Sequence, residues 1–179
     1  MEQRIGSLSR LTSDGRAFSV QTTILPEEAG AVTLATAEAL AAGYFASLSR
    51  LSGGFLAVVR SPEAIALRLR GLRISFLIFA QAGEVPEPEG AAVGYAITGG
   101  LLLRGGAQGG RLIFRAARAG AGLRATVDLE GFSPAVLALP GGGALYRVAQ
   151  APLIAWAGRK FLSALRRRPE RLQQTGPVP

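Results

Sequence analysis

Two carboxylates stand two positions apart in a strongly alternating stretch, at Asp128 and Glu130. Residues at this spacing in a β-strand point to the same side, and paired carboxylates can perform acid–base catalysis when their surroundings separate their pKa values. Arginines share that side, at Arg124 in the same stretch and at Arg115 in the preceding one. We therefore expect a salt-bridged surface pair rather than a catalytic one.

The amino-acid composition excludes several kinds of chemistry. The chain has 179 residues and contains neither histidine nor cysteine. The usual Ser-His and Cys-His catalytic pairs, disulfides, and the common zinc, copper and haem ligands are therefore absent. The glycine-rich runs separate predicted strands and match no nucleotide-binding loop. We assign no catalytic residues, no metal site and no cofactor.

The charge and hydrophobicity are those of a basic protein with a large core. Hydrophobic residues make up 49% of the chain and the formal net charge is +8, with Lys160 as the single lysine among many arginines. A basic balance permits contact with nucleic acid or anionic lipid without establishing either. No uncharged run serves as a membrane span, and the N-terminus lacks the apolar core of a signal peptide. We expect a cytoplasmic protein.

The N-terminal third of the sequence predicts one strand followed by a helical region. Residues 1–16 are predicted to be a loosely held lead-in. Residues 17–25 alternate, which predicts a half-buried strand with Phe18, Val20 and Ile24 on its apolar side. The alanine-rich stretch 27–50 predicts one long helix or two short ones, with Gly30 or Gly43 as the break.

The middle of the sequence predicts an antiparallel meander. Short alternating segments are separated by glycine-rich turns, the spacing typical of consecutive hairpins. The polar, proline-rich stretch 84–90 is predicted to be a loop. The six predicted strands cover residues 55–60, 63–70, 72–81, 91–104, 111–118 and 123–130.

One long amphipathic helix is predicted over residues 143–168, near the end of the sequence. Apolar residues recur at three- and four-residue spacing, and cations occupy the last turn, where they suit the helix dipole. Pro152 either kinks this helix or stands in the first turn of a second one. We expect Trp156 to anchor the helix on the sheet. Residues 169–179 are predicted to be a disordered tail.

The order of strand, helical region, meander and C-terminal helix resembles the helix-grip fold of the START and polyketide-cyclase-like (Bet v 1-like) superfamily. The resemblance implies an α+β fold, a single domain over residues 17–168, in which a curved antiparallel seven-stranded sheet surrounds the long C-terminal helix. Local features are similar to an uncharacterised bacterial and plant family of that kind. These features are Gly94 and Tyr95, the Gly-Phe-Ser-Pro segment 131–134, and Tyr146, Arg147 and Gln150.

The resemblance also implies an apolar cavity between sheet and helix, and the strand alternation indicates which side chains would face it. Small residues such as Ala116 and Ala125 between the large ones leave room for such a space. A filled core is the alternative. The predicted ligand-binding residues are Phe76, Ile78, Tyr95, Ile97, Phe114, Val127, Leu153 and Trp156.

The function predicted from these features is binding of a small hydrophobic ligand, such as a lipid, isoprenoid or polyketide-like molecule. One alternative is a cyclase- or hydratase-type enzyme on the same scaffold, using Tyr95 or a cavity carboxylate. Another is an arginine-rich membrane-surface or interaction protein, in which Arg166, Arg167 and Arg168 make weak contact with anionic membranes. A cavity free of charge favours binding, whereas a buried carboxylate near Tyr95 favours catalysis.

The outward arginines are predicted not to form a specific nucleic-acid site, because few aromatic residues lie among them for bases to stack on. Any DNA binding should be weak and should vanish as salt rises, since only phosphate charge would be contacted. Fluorescence anisotropy with DNA of several sequences measures this, and tight, sequence-selective binding at physiological salt would contradict it. The residues concerned are Arg68, Arg70, Arg73, Arg111, Arg115 and Arg124.

Overall fold

A computed structural model describes residues 5–29, 31–104, 109–138, 140, 143, 151–170 and 172. Within these residues the chain forms two α-helices and one nine-stranded antiparallel sheet, an α+β architecture. The helices are α1 (Leu34–Leu51) and α2 (Ala151–Arg167). Short 3₁₀ turns cover Glu27–Ala29 and Ala135–Ala138.

The sheet is built almost entirely from strands that pair with antiparallel neighbours close in sequence. Its order is β1-β2-β9-β8-β7-β5-β4-β3, and β6 pairs with β7 beside β5. α1 packs on β3, β7 and β8, whereas α2 packs on β1, β2 and α1. The strands are β1 (Gly6–Leu11), β2 (Ala17–Leu25), β3 (Leu56–Arg60), β4 (Ala64–Leu69), β5 (Ser75–Ala80), β6 (Gly83–Val85), β7 (Gly90–Gly99), β8 (Arg111–Ala119) and β9 (Gly122–Phe132).

The described sheet has two strands more than the seven that were predicted. β1 lies in the predicted lead-in and pairs with β2 along its whole length. β1 is an edge strand whose side chains are mostly exposed. Because backbone hydrogen bonds hold it to β2, it needs no alternating apolar residues, and its sequence gives no strand signal. β6 lies where a loop was predicted to begin, and Val85 packs against Gly94 of β7.

α1 is a single helix that runs through Gly43. Thr33 caps it, because its side-chain oxygen accepts a hydrogen bond from the Thr36 N–H at 3.2 Å. The chain then turns at Gly53 and Gly54, both of which have positive φ. Gly43 does not break the helix; a Cβ at this position would press on the Phe161 ring, so the glycine lets α1 and α2 approach closely.

The described part of α2 begins at Ala151, with Pro152 in its first turn. Residues 144–150 lie outside the described residues, so the predicted helix start and the kink at Pro152 stay predictions. Beyond the helix, Leu172 is buried among core residues although the segment 169–179 was predicted to be disordered. Residues 173–179 lie outside the described part of the chain.

The buried side of β2 is its polar side, the reverse of the prediction. Ser19, Gln21 and Thr23 are buried, whereas Phe18 and Val20 are only half-buried. Pairing with β9 decides the orientation, because opposed residues of an antiparallel pair share one face. Gln21 opposes Val127 and therefore points inward with it.

This buried polar row lies against the small residues of α2. The Gln21 side-chain amide donates to the Ser19 hydroxyl at 2.7 Å, and Ser19 bonds the Ser9 hydroxyl at 2.8 Å. Gly158 of α2 faces Gln21 so closely that a Cβ there would clash with the Gln21 side-chain oxygen. Within the described residues the Thr23 hydroxyl is buried without a hydrogen-bond partner, which is an unfavourable contribution to stability.

The helix anchor differs from the predicted one. Trp156 is 36% exposed, whereas Leu162 is fully buried and Phe161 and Leu165 are nearly so. The stripe of α2 that reaches the core also includes Ala155 and Ala157, so Trp156 lies on a neighbouring face of the helix, outside this stripe.

Replacing Leu162 with Ala should lower the free energy of unfolding by about 2–5 kcal/mol, because the deleted methyl groups leave a cavity in the core. Trp156→Ala should have a clearly smaller effect, and Lys160→Ala, exposed on the same helix, should change stability by about 0.5 kcal/mol or less. Urea denaturation with constant m-values measures all three. An unchanged midpoint for Leu162→Ala would contradict this packing of α2.

Candidate functional site

A cavity of about 370 Å³ lies between the inner face of the sheet and the two helices. Its volume is within the range of small-molecule sites, roughly 300–1,000 Å³. The helical wall consists of Tyr44, Leu48 and Leu51 with Ser52 from the end of α1, and Ile154, Trp156 and Ala157 from α2. The sheet wall consists of Leu56, Leu67, Leu77, Phe79, Ile97, Leu102, Leu112, Val127, Leu129 and Phe132.

The lining is almost wholly hydrocarbon. Ser52, Tyr44 and Trp156 are its only lining residues with a polar side-chain atom, and no charged side chain lines the cavity within the described residues. The cavity opens to solvent where its lining residues are not fully buried. Trp156 is exposed, and the half-buried lining residues are Leu48, Leu51, Ser52, Leu56, Leu77, Leu102 and Ile154. A charged ligand group would find no partner inside and would remain at this opening.

Aromatic rings fill the other half of the inner face. Phe45 lies 5.3 Å from both Phe79 and Tyr95, measured between ring centroids, and Tyr44 lies 5.3 Å from Phe114. Most of these pairs meet edge to face, an arrangement that stabilises aromatic contacts. The inner face is therefore a packed core at one end and a cavity at the other.

The predicted site residues fall into these two regions. Ile97, Val127 and Trp156 line the cavity. Tyr95 and Phe114 face inward as predicted but belong to the aromatic cluster beside it. The side chain of Leu153 lies outside the described part of the chain.

On β5 the cavity is lined by the face opposite to the predicted one. Leu77 and Phe79 line it, whereas Phe76 and Ile78 do not and are half-buried. Both faces of this strand are apolar, so alternation could not distinguish them. The register shift between β5 and β7 places Phe79 opposite Ile97 and sets the orientation.

Sequence reasoning missed several lining residues because they lie where elements end. Leu102 follows β7, Phe132 is the last residue of β9, and Ser52 follows α1. Periodicity assigns faces within an element and carries no information about the chain that leaves it. For Tyr44 and Leu48 a signal existed, since two apolar residues four positions apart in the predicted helical stretch 27–50 share one helix face.

Tyr44, which lines the cavity, and Tyr95, in the aromatic cluster beside it, are neutral at ordinary pH. Burial raises the pKa of Tyr44 to about 12. Burial also raises the pKa of Tyr95, with a lowering influence of Arg60 and a raising one of Glu38. These hydroxyls can donate hydrogen bonds but do not supply a base near neutral pH. Within the described residues no carboxylate lines the cavity.

The carboxylate pair lies on the outer face of the sheet, where Arg115 contacts three acidic residues. Its guanidinium nitrogens lie 3.0 Å from Glu87, 3.1 Å from Asp128 and 2.6 Å from Glu130. The salt-bridged pair expected from the sequence is therefore present. Asp128 is buried and not at the surface as expected, so burial raises the pKa of its carboxyl, while Arg115 acts to lower it.

The basic end of α2 borders a second depression. Lys160, Arg167 and Arg168 line this groove together with Leu51, which also lines the apolar cavity. In the described part of the chain, no group of three or more acidic residues is arranged to hold a metal ion. No described helix is both long and apolar enough to cross a membrane.

Comparisons with known proteins show a distant similarity. Neither a protein-family model nor a curated protein sequence matches the chain. The solution NMR structure of CalU16 from Micromonospora echinospora is 11% identical, covers 100% of this chain and 80% of that chain, and has a TM-score of 0.43. The crystal structure of CalU16 is 11% identical, covers 97% and 93% of the two chains, and has a TM-score of 0.38.

Asp128→Asn should alter the pH dependence of stability in a defined direction. Because the pKa of Asp128 is raised, its contribution is fully present below the ordinary value of 3.8 and is lost as pH rises through the raised value. The stability of the wild type relative to Asp128→Asn should therefore decrease with rising pH, as measured by denaturation at several pH values.

Asp14→Asn is the control with the opposite sign. Asp14 is exposed and its pKa is lowered, first by a hydrogen bond from Thr12. Its contribution is present above 3.8 and is lost as pH falls, so the stability difference should increase with rising pH. If the stability of the wild type relative to Asp128→Asn also increased with pH, attraction by Arg115 would outweigh burial.

Proposed function

We propose that this protein binds a small hydrophobic molecule in the cavity between its sheet and its two helices. The supporting observation is a space of about 370 Å³ whose lining carries no charge within the described residues. Protein interiors normally close-pack, and buried apolar atoms without partners lose dispersion contacts. An apolar ligand would restore these contacts and exclude water from the leucine-rich walls.

The volume limits the size of the part that is enclosed. A water-sized group occupies about 30 Å³ in a liquid, so the cavity accommodates roughly a dozen non-hydrogen atoms. A medium-length acyl chain or a short isoprenoid fits this limit. A longer chain would extend through the opening beside Trp156 and Leu51.

The fold is consistent with this proposal. A large antiparallel sheet with a C-terminal helix on its inner face is what the helix-grip interpretation requires. In the START and polyketide-cyclase-like superfamily that the sequence resembles, the space between helix and sheet is the expected ligand site. The proposal for this chain depends on its own cavity, and the resemblance adds to it.

A fluorescent fatty-acid probe with a chain of about twelve carbons should bind the wild type with a negative heat-capacity change, the marker of apolar burial. Val127→Trp should weaken binding at least about tenfold, because the ring occupies the cavity. Probe fluorescence and calorimetry measure these effects. Val127→Phe is a milder variant that serves if the larger ring impairs folding.

The matched control is Arg124→Trp on the same strand. Arg124 is exposed on the outer face, so this ring should leave probe affinity unchanged. Circular dichroism and a cooperative thermal transition establish that each variant is folded. Equal probe affinity for folded Val127→Trp, folded Val127→Phe and the wild type would show that the probe does not occupy this cavity.

A further inference from the structure

Large apolar side chains are exposed at the end of the sheet where the cavity opens. Phe55 is 73% exposed, Leu101 is 60% and Leu72 is 54%, and Ile74 and Trp156 are exposed as well. We call these five residues the rim. Single exposed apolar residues are ordinary, but a group of them at one place marks an interaction surface.

Backbone hydrogen bonds place most of the rim on adjacent chain segments. The Arg70 N–H donates to the Phe55 carbonyl at 2.8 Å, which joins the start of β3 to the end of β4. The Leu101 N–H donates to the Ser75 carbonyl at 2.9 Å, which joins the end of β7 to the start of β5. Leu72 lies in the turn between β4 and β5, so these segments follow one another along a single end of the sheet.

The rim adjoins the cavity opening. Phe55 and Leu101 each directly precede a lining residue, namely Leu56 and Leu102. Trp156 belongs to both the rim and the lining. A partner seated on the rim would therefore face the entrance to the cavity.

Arginines surround the rim and no acidic residue accompanies them in sequence. Arg50, Arg70, Arg73 and Arg104 are exposed, and within the described residues none of them forms an ion pair. The stretches 39–62, 64–83 and 90–127 contain no aspartate or glutamate. The surface thus combines exposed apolar side chains with uncompensated positive charge.

We propose that the rim docks on the surface of an anionic lipid bilayer. Apolar side chains enter the boundary between head groups and acyl chains, while arginines contact lipid phosphates, and two such signals together give stable attachment. A second copy is a poorer occupant, because a two-fold interface places the same patch, with its arginines, against itself.

Docking by itself does not require that the cavity holds a ligand. If the cavity does bind a hydrophobic molecule, the docked bilayer would supply it, and this consequence rests on the proposed function. Probe binding without vesicles and vesicle binding without probe test the two proposals separately, so failure of one is distinguishable from failure of the other.

The test is co-sedimentation of the full chain with vesicles of phosphatidylcholine containing about 30 mol% phosphatidylglycerol, against vesicles of phosphatidylcholine alone. Binding is expected to the anionic vesicles. Arg70→Gln and Arg73→Gln should each weaken it about fivefold, and Phe55→Ser at least about tenfold. Salt at about 1 M should weaken binding without abolishing it, because charge is screened whereas apolar insertion is not.

Matched variants outside the rim test whether vesicle binding needs the rim itself or only exposed charge and apolar side chains anywhere on the protein. Leu8→Ser removes an equally exposed apolar side chain from β1 at the far edge of the sheet. Arg118→Gln and Arg124→Gln remove exposed charges around the β8–β9 hairpin at the opposite end. All three should bind vesicles like the wild type. All substituted residues are exposed, and circular dichroism verifies their folding.

The single tryptophan of the chain provides a second measurement. Since Trp156 lies in the rim, brominated acyl chains in anionic vesicles should quench its fluorescence in the wild type and less in Phe55→Ser. The proposal would be overturned by undiminished binding of the rim variants, by loss of binding only in Arg167→Gln/Arg168→Gln, or by a wild-type dimer, seen by light scattering, that Phe55→Ser converts to monomer. Equal binding to uncharged vesicles would do so as well.

Discussion

The contact on which the rest of the structure depends is the aromatic cluster between α1 and the sheet. Phe45 lies between Phe79 and Tyr95, and Tyr44 reaches Phe114 on the sheet and Phe161 on α2. These contacts join both helices to the central strands at one place. Each ring buries a large apolar area, so the cluster sets the separation of helix and sheet along the inner face.

The cavity is a consequence of where this cluster ends. Beyond Phe79 and Ile97 the sheet wall of the cavity carries aliphatic side chains with Phe132 among them, and the aliphatic side chains are shorter than the aromatic rings that keep α1 away from the strands. The two halves of the inner face therefore differ in packing although both are apolar. The sequence-based choice between a filled core and a pocket has a mixed answer, because the same face contains both.

A second constraint acts at α2. The helix packs against the buried polar row of Ser19, Gln21 and Thr23 on β2, and Gly158 allows its backbone to approach Gln21 closely. Leu162 and its neighbours hold the helix, which leaves Trp156 free at the opening. The end of the sheet that carries the opening also carries the exposed rim, so the site and the proposed docking surface share one boundary.

Much of the fold was determined by the sequence itself. Alternation and turn signals located seven of the nine described strands. They also assigned the inner faces of β7, β8 and β9, because large apolar residues on these strands alternate mainly with small or polar ones. Alternation also indicated Ile97 and Val127 as inward residues, and both line the cavity. The predicted helical stretch 27–50 ends one residue before α1 does, at Leu51.

Only the tertiary structure decided the faces of β2 and β5, the exposure of Trp156 and the position of the cavity. β5 is apolar on both sides, and β2 turns its polar side inward because its register with β9 leaves no other choice. A local pattern states which residues share a face; which face is buried depends on the partner strand and on the helix that covers it. Whether space remains beneath that helix depends on side-chain lengths contributed by distant segments, which no stretch of sequence contains by itself.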